Sequence, residues 1–411
     1  MRYSTFCFFA FLLFTLTGCI EEYEADLPKE DSNLLVVEGT ICSGKLNKFY
    51  LSRAQAINST DAPHMVTGAR LSVRGSDGSE YMAVDNGQLQ RGVYSCQTDV
   101  LNPDVEYYLH IETDGEVYES EPQKPLHTEG ITEVRGWQDT PESDIDVLVT
   151  AEAPFESGKT NYYSWTYDET WEVHPQYITD VYFDIETMKR VFKDDQFPRR
   201  GWIDARNTTI IIGTSRNYEG QHMQGVKIYD ISRSSERMYH RYSGLIHQRA
   251  ISKAEYEYEL ARRQAGSEMG GLFTPLPSFL PSNIRCVTSG TRAIGFVGCS
   301  MNTSEYRFFL SPADFAIYRP QQRDTRIWLE NCSEADCYEM VKRGMFLCAW
   351  EDDRMMMGPL RTAWATAYQL DVRVKYPNAY IEKPEFWKYY TIEDEEADST
   401  FLHACHVAFH R

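Results

Sequence analysis

The residue with the clearest chemical role in this sequence is Cys19, which stands directly behind a short apolar segment. Arg2 gives the chain a basic start, and residues 6–16 are apolar except for Thr15. A basic start, an apolar core too short to cross a bilayer and small residues at its end are typical of a secretory signal. We therefore predict that residues 1–18 are a signal peptide that directs export.

The residues around the thiol add a second inference, because Leu16-Thr17-Gly18-Cys19 resembles a bacterial lipobox. That resemblance implies cleavage before Cys19, diacylglycerol on its sulfur and an acyl chain on the new N-terminus. Each buried methylene contributes about 0.8 kcal/mol, so several acyl chains anchor a protein more firmly than one. The alternative is an ordinary cleaved signal before an unmodified cysteine. We disfavour it because the apolar core, the small residue and the cysteine are in register.

Residues 19–33 are predicted to form a lipidated, acidic tether. The acidic residues begin immediately after the cysteine, at Glu21, Glu22, Glu24 and Asp26. An acidic segment of this kind is at least a solvated spacer. It also resembles the surface-export tag of outer-membrane lipoproteins in Bacteroides-like bacteria. That resemblance implies an anchor in the outer membrane with the protein on the extracellular face.

The other thiols predict disulfides. Beyond the signal and Cys19 the chain has an even number of cysteines, and an oxidising compartment allows disulfides to persist. Four residues separate Cys332 from Cys337, a spacing that permits a local disulfide. A bond between Cys286 and Cys299, across a predicted hairpin, is the weaker hypothesis. Free buried thiols are the alternative for Cys332 and Cys337.

One predicted strand carries aromatic rings that could bind a flat ligand or a sugar by stacking. Over residues 161–173 the pattern has period two, which places alternate side chains on one face of the strand. The rings on that face are Tyr163, Trp165, Tyr167 and Trp171. Exposed in a groove, they would form a stacking surface. Buried, they would fill the core of a sheet, which is the interpretation we favour because large rings at this spacing most often do so.

Local catalytic and metal-binding motifs are not found in the sequence. The nucleophile elbow, the zinc-protease helix, the phosphate-binding loop and the calcium loop all lack a match. His240 and His247 have no thiol or carboxylate at ligand spacing, so we interpret them as surface histidines. The acidic run at 393–398 is interpreted as a solvated face instead of a calcium site. We predict no catalytic residue, no metal and no cofactor.

The charge of the chain limits its partners. The formal net charge is −20 at pH 7, which repels phosphate backbones and makes nucleic acid an unexpected partner. No basic patch is available to hold anionic lipid. The predicted contact with the outer membrane therefore depends on the acylated Cys19.

The elements that position these residues are predicted to be mostly strands. Residues 34–122 show short alternating runs separated by turn pairs such as Asn86-Gly87 and Asp114-Gly115, which predicts an Ig-like antiparallel sandwich. A proline-rich stretch at 121–125 marks a boundary. Residues 128–411 are predicted to form a larger β-rich domain. That domain has one short helix near 252–265, which Ser252 and Glu255 begin as a capping box.

Several short segments, in this order, make the chain similar to a known family. They are Leu35-Val36-Val37-Glu38-Gly39, Gly271-Leu272-Phe273, Asn283-Ile284, Gly295-Phe296, Asp336-Cys337 and Lys383-Pro384-Glu385-Phe386-Trp387. Together they resemble an uncharacterised lipoprotein family of Bacteroides-like bacteria, the domain of unknown function 4249. Its members are commonly encoded beside TonB-dependent outer-membrane receptors. The resemblance therefore implies a TonB-dependent receptor as partner and a role in capturing a nutrient.

Three functions are compatible with these observations. We favour a non-enzymatic, membrane-anchored binding or accessory subunit of a TonB-dependent uptake system. The alternative is an exported hydrolase that acts on glycans or peptides, because the two carboxylates of a glycosidase need not be close in sequence. A purely structural surface lipoprotein is the third possibility. A deep cleft with paired carboxyl groups would favour the hydrolase, and a broad apolar patch would favour docking on a receptor.

Overall fold

The computed structural model describes residues 33–55, 62, 64–87, 89–154, 160–177, 181–184, 189–192, 197–267, 281–320, 325–328, 333–350 and 361–387. Three predictions lie outside these residues. They are the lipidation of Cys19 with nearly all of its tether, the acidic run at 393–398, and the Cys332–Cys337 disulfide. Cys332 and the side chain of Cys337 are both outside the described part.

The first part of the chain consists of short strands joined by tight turns. The strands are β1 (Leu35–Cys42), β2 (Leu46–Arg53), β3 (His64–Met65), β4 (Arg70–Gly75), β5 (Glu80–Asp85), β6 (Val93–Gln97), β7 (Tyr107–Thr113) and β8 (Glu116–Ser120). The predicted turn at Asp114-Gly115 joins β7 to β8, with φ of 53° and 78° at the two residues. Positive φ at both central positions matches the right-handed twist of the flanking strands.

The remaining strands are distributed along the rest of the described chain. They are β9 (Ile131–Trp137), β10 (Ile145–Ala151), β11 (Tyr162–Val173), β12 (Val181–Asp184), β13 (Lys189–Phe192), β14 (Gly201–Thr214), β15 (Val226–Ile231), β16 (Tyr242–Ile251), β17 (Ile284–Cys286), β18 (Ala293–Ser300), β19 (Ser304–Leu310), β20 (Ile327–Trp328), β21 (Met345–Trp350) and β22 (Arg361–Thr366).

Helices are few among the described residues. The α-helices are α1 (Lys253–Ser267), α2 (Glu334–Lys342), α3 (Ala367–Leu370) and α4 (Val372–Lys375). Single 3₁₀ turns occur at Ser215–Asn217, Glu219–Gln221, Glu236–Met238, Pro312–Asp314 and Glu385–Trp387. The predicted helix near 252–265 is therefore present as α1, and the sequence missed the three helices that follow it. None of the described helices has the length and apolarity that crossing a bilayer requires.

The first sheet contains strands from two distant parts of the chain. Its order is β17-β8-β7-β4-β5-β6-β2-β1-β18, with β3 paired to β2. The predicted hairpin at 284–297 thus supplies both ends of this sheet, and an antiparallel bridge joins Arg285 of β17 to Arg292, the residue before β18. The sheet therefore extends beyond the predicted 34–122 segment. We name the unit that this sheet forms the first sandwich. It departs from a purely antiparallel sandwich, because β18 pairs with β1 in parallel.

One core fills the interior of this sheet. In β2 burial alternates strictly, so that Asn47, Phe49 and Leu51 point inward and the residues between them point outward. Phe49, Leu51 and Val73 are fully buried in the core. The late strands contribute Ile284, Cys286, Ala293, Val297 and Cys299 to the same cluster. Residues about 250 positions apart are therefore packed together.

A second sandwich follows, built from a three-stranded and a four-stranded sheet. The strand orders are β15-β10-β9 and β14-β11-β16-β19, and both sheets contribute to one buried cluster. The central strand β11 pairs antiparallel with β14 on one side and with β16 on the other. A further sheet, β13-β12-β21-β22-β20, lies toward the C-terminal end. The all-β-dominated class that the sequence predicted is confirmed.

Candidate ligand-binding site at the sandwich junction

The aromatic face of β11 lies in the core of the second sandwich. Tyr163 and Trp165 are each 1% exposed and Tyr167 is 7% exposed. Trp171 is half-buried and packs against the same cluster. The indole of Trp165 donates a hydrogen bond to Gln248 Oε1 at 2.8 Å. The four rings therefore belong to the core, which is the interpretation favoured from the sequence. They do not line a groove in which a ligand could stack.

One of these rings orients a carboxylate at the edge of the core. The Tyr163 hydroxyl donates to Glu129 Oε2 at 2.6 Å, and Asn161 Nδ2 donates to Glu129 Oε1 at 3.0 Å. Burial is the largest cause that raises the pKa of the Tyr163 phenol, and the Glu129 carboxylate adds to it. The phenol therefore stays protonated and can donate its hydrogen bond. Gln248 Nε2 donates to the Glu129 carbonyl at 2.8 Å. Both the backbone and the side chain of Glu129 are thus held in place.

A pocket of about 500 Å³ opens beside this carboxylate. We name it the junction pocket. It lies where the segment after the first sandwich meets the start of β11, the end of β16 and the start of α1. Its lining residues are Leu126, His127, Glu129, Thr160, Asn161, Tyr162, Ala250, Ile251, Ser252 and Lys253. A concave, partly apolar site with a few fixed polar groups is the usual form of a small-molecule site.

The start of α1 forms one rigid wall of the junction pocket. Ser252 Oγ accepts a hydrogen bond from the Glu255 backbone at 3.0 Å, which confirms Ser252 as the predicted cap. The Glu255 side chain does not complete a capping box. It accepts hydrogen bonds from Arg249 at 2.5 and 3.2 Å instead. This ion pair is buried and joins the end of β16 to the helix.

The junction pocket presents polar groups and a ring that could contact a small molecule. Glu129 supplies a fixed acceptor, Lys253 an exposed ammonium, and Tyr162 a half-buried ring that packs 5.1 Å from the ring of Tyr256. Such a set can hold a small polar molecule through hydrogen bonds and ring contact. Sequence reasoning missed Glu129, Asn161 and Lys253, because their spacing along the chain carries no pattern.

The outer surface of the first sandwich carries an apolar patch. Leu46 is 57% exposed, Tyr50 43%, Met82 55% and Val84 66%. These residues lie on β2 and β5, which flank β6, and the strand register aligns Val84 with Ser95 and Ser95 with Lys48. The four side chains therefore lie on one face, with Lys48 and Ser95 between them, and we name this surface the outer apolar face. Patches of this type mark interaction surfaces more often than scattered exposed residues do.

The predicted Cys286–Cys299 disulfide is wrong, because both thiols are free. Cys286 lies on β17, at one end of the first sheet, and its sulfur contacts the hydroxyls of Thr288 and Ser289. Cys299 lies on β18, at the other end of the sheet. Burial raises the pKa of the Cys299 thiol to about 12 and keeps it protonated.

The two histidines singled out in the sequence lie apart. His247 is on β16 between Asp168 and Glu305, at 3.2 and 3.3 Å from their carboxylates. His240 stacks on His174 with ring centroids 3.6 Å apart. No cluster of three metal-ligating side chains is found within the described part of the chain.

A comparison with protein families identifies the chain. The sequence model of a family described as a domain of unknown function (DUF4249) matches residues 20–306. This chain belongs to the DUF4249 family. The matched range includes the whole junction pocket and nearly all of the two sandwiches, whereas α2, α3 and α4 lie beyond it. No curated protein matches the chain.

The family segments noted in the sequence have identifiable positions in the DUF4249 fold. Leu35-Val36-Val37-Glu38-Gly39 is most of β1, and Gly295-Phe296 lies on its parallel partner β18. Asn283 sits beside them, donating to the Val297 carbonyl and accepting from its amide, both at 2.9 Å. These segments therefore join the two ends of the first sheet. Gly271-Leu272-Phe273 lies outside the described residues.

Proposed function

We propose that this protein is an outer-membrane lipoprotein that binds a small organic molecule in the junction pocket and serves a TonB-dependent receptor as a non-enzymatic accessory subunit. The observation that carries the binding role is the junction pocket itself. Its size is that of a small-molecule site, and its Glu129 carboxylate is fixed by Tyr163 and Asn161 before any ligand arrives. Groups fixed in advance reduce the entropy lost on binding.

The anchoring part of the proposal rests on the sequence. The lipobox at residues 16–19 and the acidic tether at 19–33 support an acylated Cys19 and export to the extracellular face of the outer membrane. The source we propose is a Bacteroides-like bacterium, on the resemblance of that tether. The TonB-dependent receptor is proposed on the resemblance of the chain to the DUF4249 family, whose members are commonly encoded beside such receptors. The outer apolar face, Leu46, Tyr50, Met82 and Val84, supports a protein partner of this kind.

The lipid anchor is tested by replacing Cys19, the residue proposed to carry the lipid. Cys19→Ala in the native host should abolish labelling with radioactive palmitate and release the protein from the membrane fraction. Cys42→Ala, which changes a thiol of the first sheet, is the matched control and should stay labelled and membrane-bound. Undiminished labelling of Cys19→Ala would refute the anchor.

The receptor is tested by crosslinking in intact outer membranes followed by affinity purification. A TonB-dependent receptor should be recovered with the native lipoprotein. Met82→Asp together with Val84→Asp should reduce its recovery, whereas Thr132→Asp on the exposed side of β9 should not. Recovery of no such receptor, or equal recovery with the Met82→Asp, Val84→Asp variant, would contradict the proposal.

The pocket is tested by complementation of a deletion strain grown on single limiting nutrients. The deletion should impair growth on one nutrient and leave bulk extracellular hydrolysis intact. Thr160→Trp, which fills the junction pocket, and Glu129→Gln should fail to restore growth. Glu133→Gln, an exposed glutamate on β9, should restore it fully. If the purified protein cleaved a glycan or peptide panel and lost that activity on mutation of two carboxylates, the hydrolase alternative would replace this proposal.

A further inference from the structure

A second pocket, of about 240 Å³, lies at the far end of β11 from the junction pocket. We name it the histidine–lysine pocket. It is lined by Val173, His174, Pro175, Gln176, Glu236, Tyr239, His240, Lys375 and Tyr376. These residues come from the end of β11, the 3₁₀ turn before β16, and the end of α4. The fold therefore brings together ionisable side chains up to about 200 positions apart.

Two stacked imidazoles form one side of this pocket. His174 Nε2 donates to Glu172 Oε1 at 2.6 Å, and its ring stacks on that of His240 at 3.6 Å. Burial is the largest single influence on the pKa of Glu172 and acts to raise it, but the hydrogen bond from His174 and the electrostatic interactions with His174, Arg200 and His240 together outweigh it, so the pKa is lowered and the carboxylate is ionised. Burial, and then His174, lowers the pKa of His240 to about 3. His240 is therefore neutral near pH 7.

Lys375 also lines this pocket and has no carboxylate within ion-pair distance among the described residues. Its Nζ lies 4.7 Å from the centre of the Tyr376 ring, a cation–π contact that positions the ammonium without neutralising it. Burial lowers the pKa of this lysine, and Glu236 acts against that shift. Glu236 is exposed and lies at the rim of the pocket. An unpaired, half-buried ammonium is uncommon in a chain with a net charge of −20.

We propose that the histidine–lysine pocket binds a small molecule through its carboxylate, with the Lys375 ammonium as the anchor. The volume of about 240 Å³ admits a molecule of only a few carbon atoms. A carboxylate would accept charge-assisted hydrogen bonds from the ammonium, which has three N–H donors to offer. The rings of Tyr239 and Tyr376 would cover its apolar part.

Glu236 and Glu172 give this pocket a preference among anions. Both are acidic and lie near the site, so a dianion such as phosphate is repelled more strongly than a monoanion. A zwitterion such as glycine can place its ammonium near Glu236 and its carboxylate on Lys375. The shared recognition element is the carboxylate, and the choice between acids and amino acids is an outcome of the test.

This site is separate from the proposed function. The junction pocket lies wholly within the 20–306 range of the family match, whereas Lys375 and Tyr376 lie beyond it. Loss of binding in one pocket is not expected to affect the other. Failure of either proposal therefore leaves the other standing.

The test is a titration of the full mature chain in detergent, by calorimetry and ligand-detected NMR, with sodium acetate, glycine, acetamide and inorganic phosphate. Acetate or glycine should bind. Acetamide, which has the shape of acetate without its charge, should not, and phosphate should bind more weakly. Lys375→Met should weaken binding about tenfold or more, as expected for a lost charge-assisted hydrogen bond. Lys375→Arg should retain most of the affinity, and Lys48→Met, an exposed lysine, should retain all of it.

Correct folding of each variant is checked by near-ultraviolet circular dichroism, and Lys375→Gln serves if Lys375→Met does not fold. Four results would overturn the proposal. They are acetamide binding as tightly as acetate, phosphate binding more tightly than either carboxylate, unchanged carboxylate affinity in the folded Lys375 variant, and absence of binding by both acetate and glycine.

Discussion

Arg249 and Glu255 form an ion pair that links β16 to α1 beside the junction pocket. Their side chains are only 16% and 7% exposed, and the guanidinium contacts both carboxylate oxygens. Glu255 also lies against Gly298 of β18, where a Cβ would come within 2.4 Å of its carboxylate. The pair therefore lies between the second sandwich and one end of the first sheet.

Breaking this pair should destabilise the protein strongly. Glu255→Gln leaves the Arg249 charge buried without its counterion, which typically costs about 3–5 kcal/mol. Glu257→Gln, which breaks the exposed pair with Lys253, should cost less than about 0.5 kcal/mol. Urea unfolding of the two variants and the parent measures both changes. Equal midpoints for Glu255→Gln and Glu257→Gln would show that the pair contributes little.

His240 should make the free energy of unfolding depend on pH from about 6.5 down to about 3. The unfolded chain has an ordinary histidine pKa near 6.5, whereas burial and then His174 lower the pKa of His240 in the folded state to about 3. As the pH falls below about 6.5, the unfolded state takes up a proton that the folded state does not. The contribution of His240 to the free energy of unfolding is therefore fully present above about pH 6.5. Below that pH it falls by at most about 1.4 kcal/mol per pH unit.

His240→Phe keeps a ring on His174 and removes the titration. Its free energy of unfolding should change less than that of the parent between pH 6.5 and 4.5, as followed by urea unfolding at each pH. His64→Phe, an exposed histidine on β3, is the control and should follow the parent more closely. Parallel pH profiles for His240→Phe and the parent would contradict the assignment.

At the scale of elements, the parallel pairing of β1 with β18 depends on glycine. Gly295 has φ of 133°, and a Cβ there would lie 2.0 Å from the Val37 carbonyl oxygen. Only glycine allows this backbone approach. The Gly295-Phe296 segment of the family resemblance therefore has a physical explanation in strand pairing.

Gly295→Ala should disrupt the end of the first sheet. The alanine would combine an unfavourable backbone conformation with a clash against main-chain atoms that cannot rotate away, so we expect a loss of at least about 3 kcal/mol. Gly78→Ala separates the two effects, because Gly78 has φ of 88° and nothing lies within 4 Å of its Cβ position. Gly78→Ala should lower the free energy of unfolding by about 1–2 kcal/mol. Similar losses in chemical denaturation of both variants would show that the close approach is unimportant.

At the scale of the whole molecule, the first sandwich depends on strands that follow the second sandwich in sequence. β17 and β18 occupy the two ends of the first sheet and supply five residues of its core: Ile284, Cys286, Ala293, Val297 and Cys299. Without them, β8 and β1 become unpaired edges and part of the core is exposed to water. The two sandwiches are thus connected twice by the chain.

Residues 33–127 alone should therefore fail to fold cooperatively. We expect narrow amide dispersion in NMR spectra and no sharp thermal transition. The same fragment joined by a flexible linker to residues 281–303 recovers β17 and β18 and should show both. A cooperative transition in the 33–127 fragment by itself would show that the late strands are dispensable.

The sequence alone determined the features that depend on a few neighbouring residues. Period two predicted β11 and its buried ring face, Asp114-Gly115 predicted the β7–β8 turn, and Ser252 predicted the start of α1. Each is a local preference, because turn dihedrals, strand alternation and helix caps involve atoms within a few positions of one another. The sequence did not predict that the thiols of Cys286 and Cys299 are free, since the spacing of two cysteines does not say which strands will be neighbours.

Only the tertiary structure decided which distant residues meet. The ends of the first sheet, the fixed carboxylate of Glu129 and the meeting of His240 with Lys375 all join segments that are far apart in sequence. Such contacts depend on register and on complementary packing between whole elements, which no local pattern encodes. Both candidate sites lie where the chain returns to an earlier element, and this is why the residues that line them carry no motif.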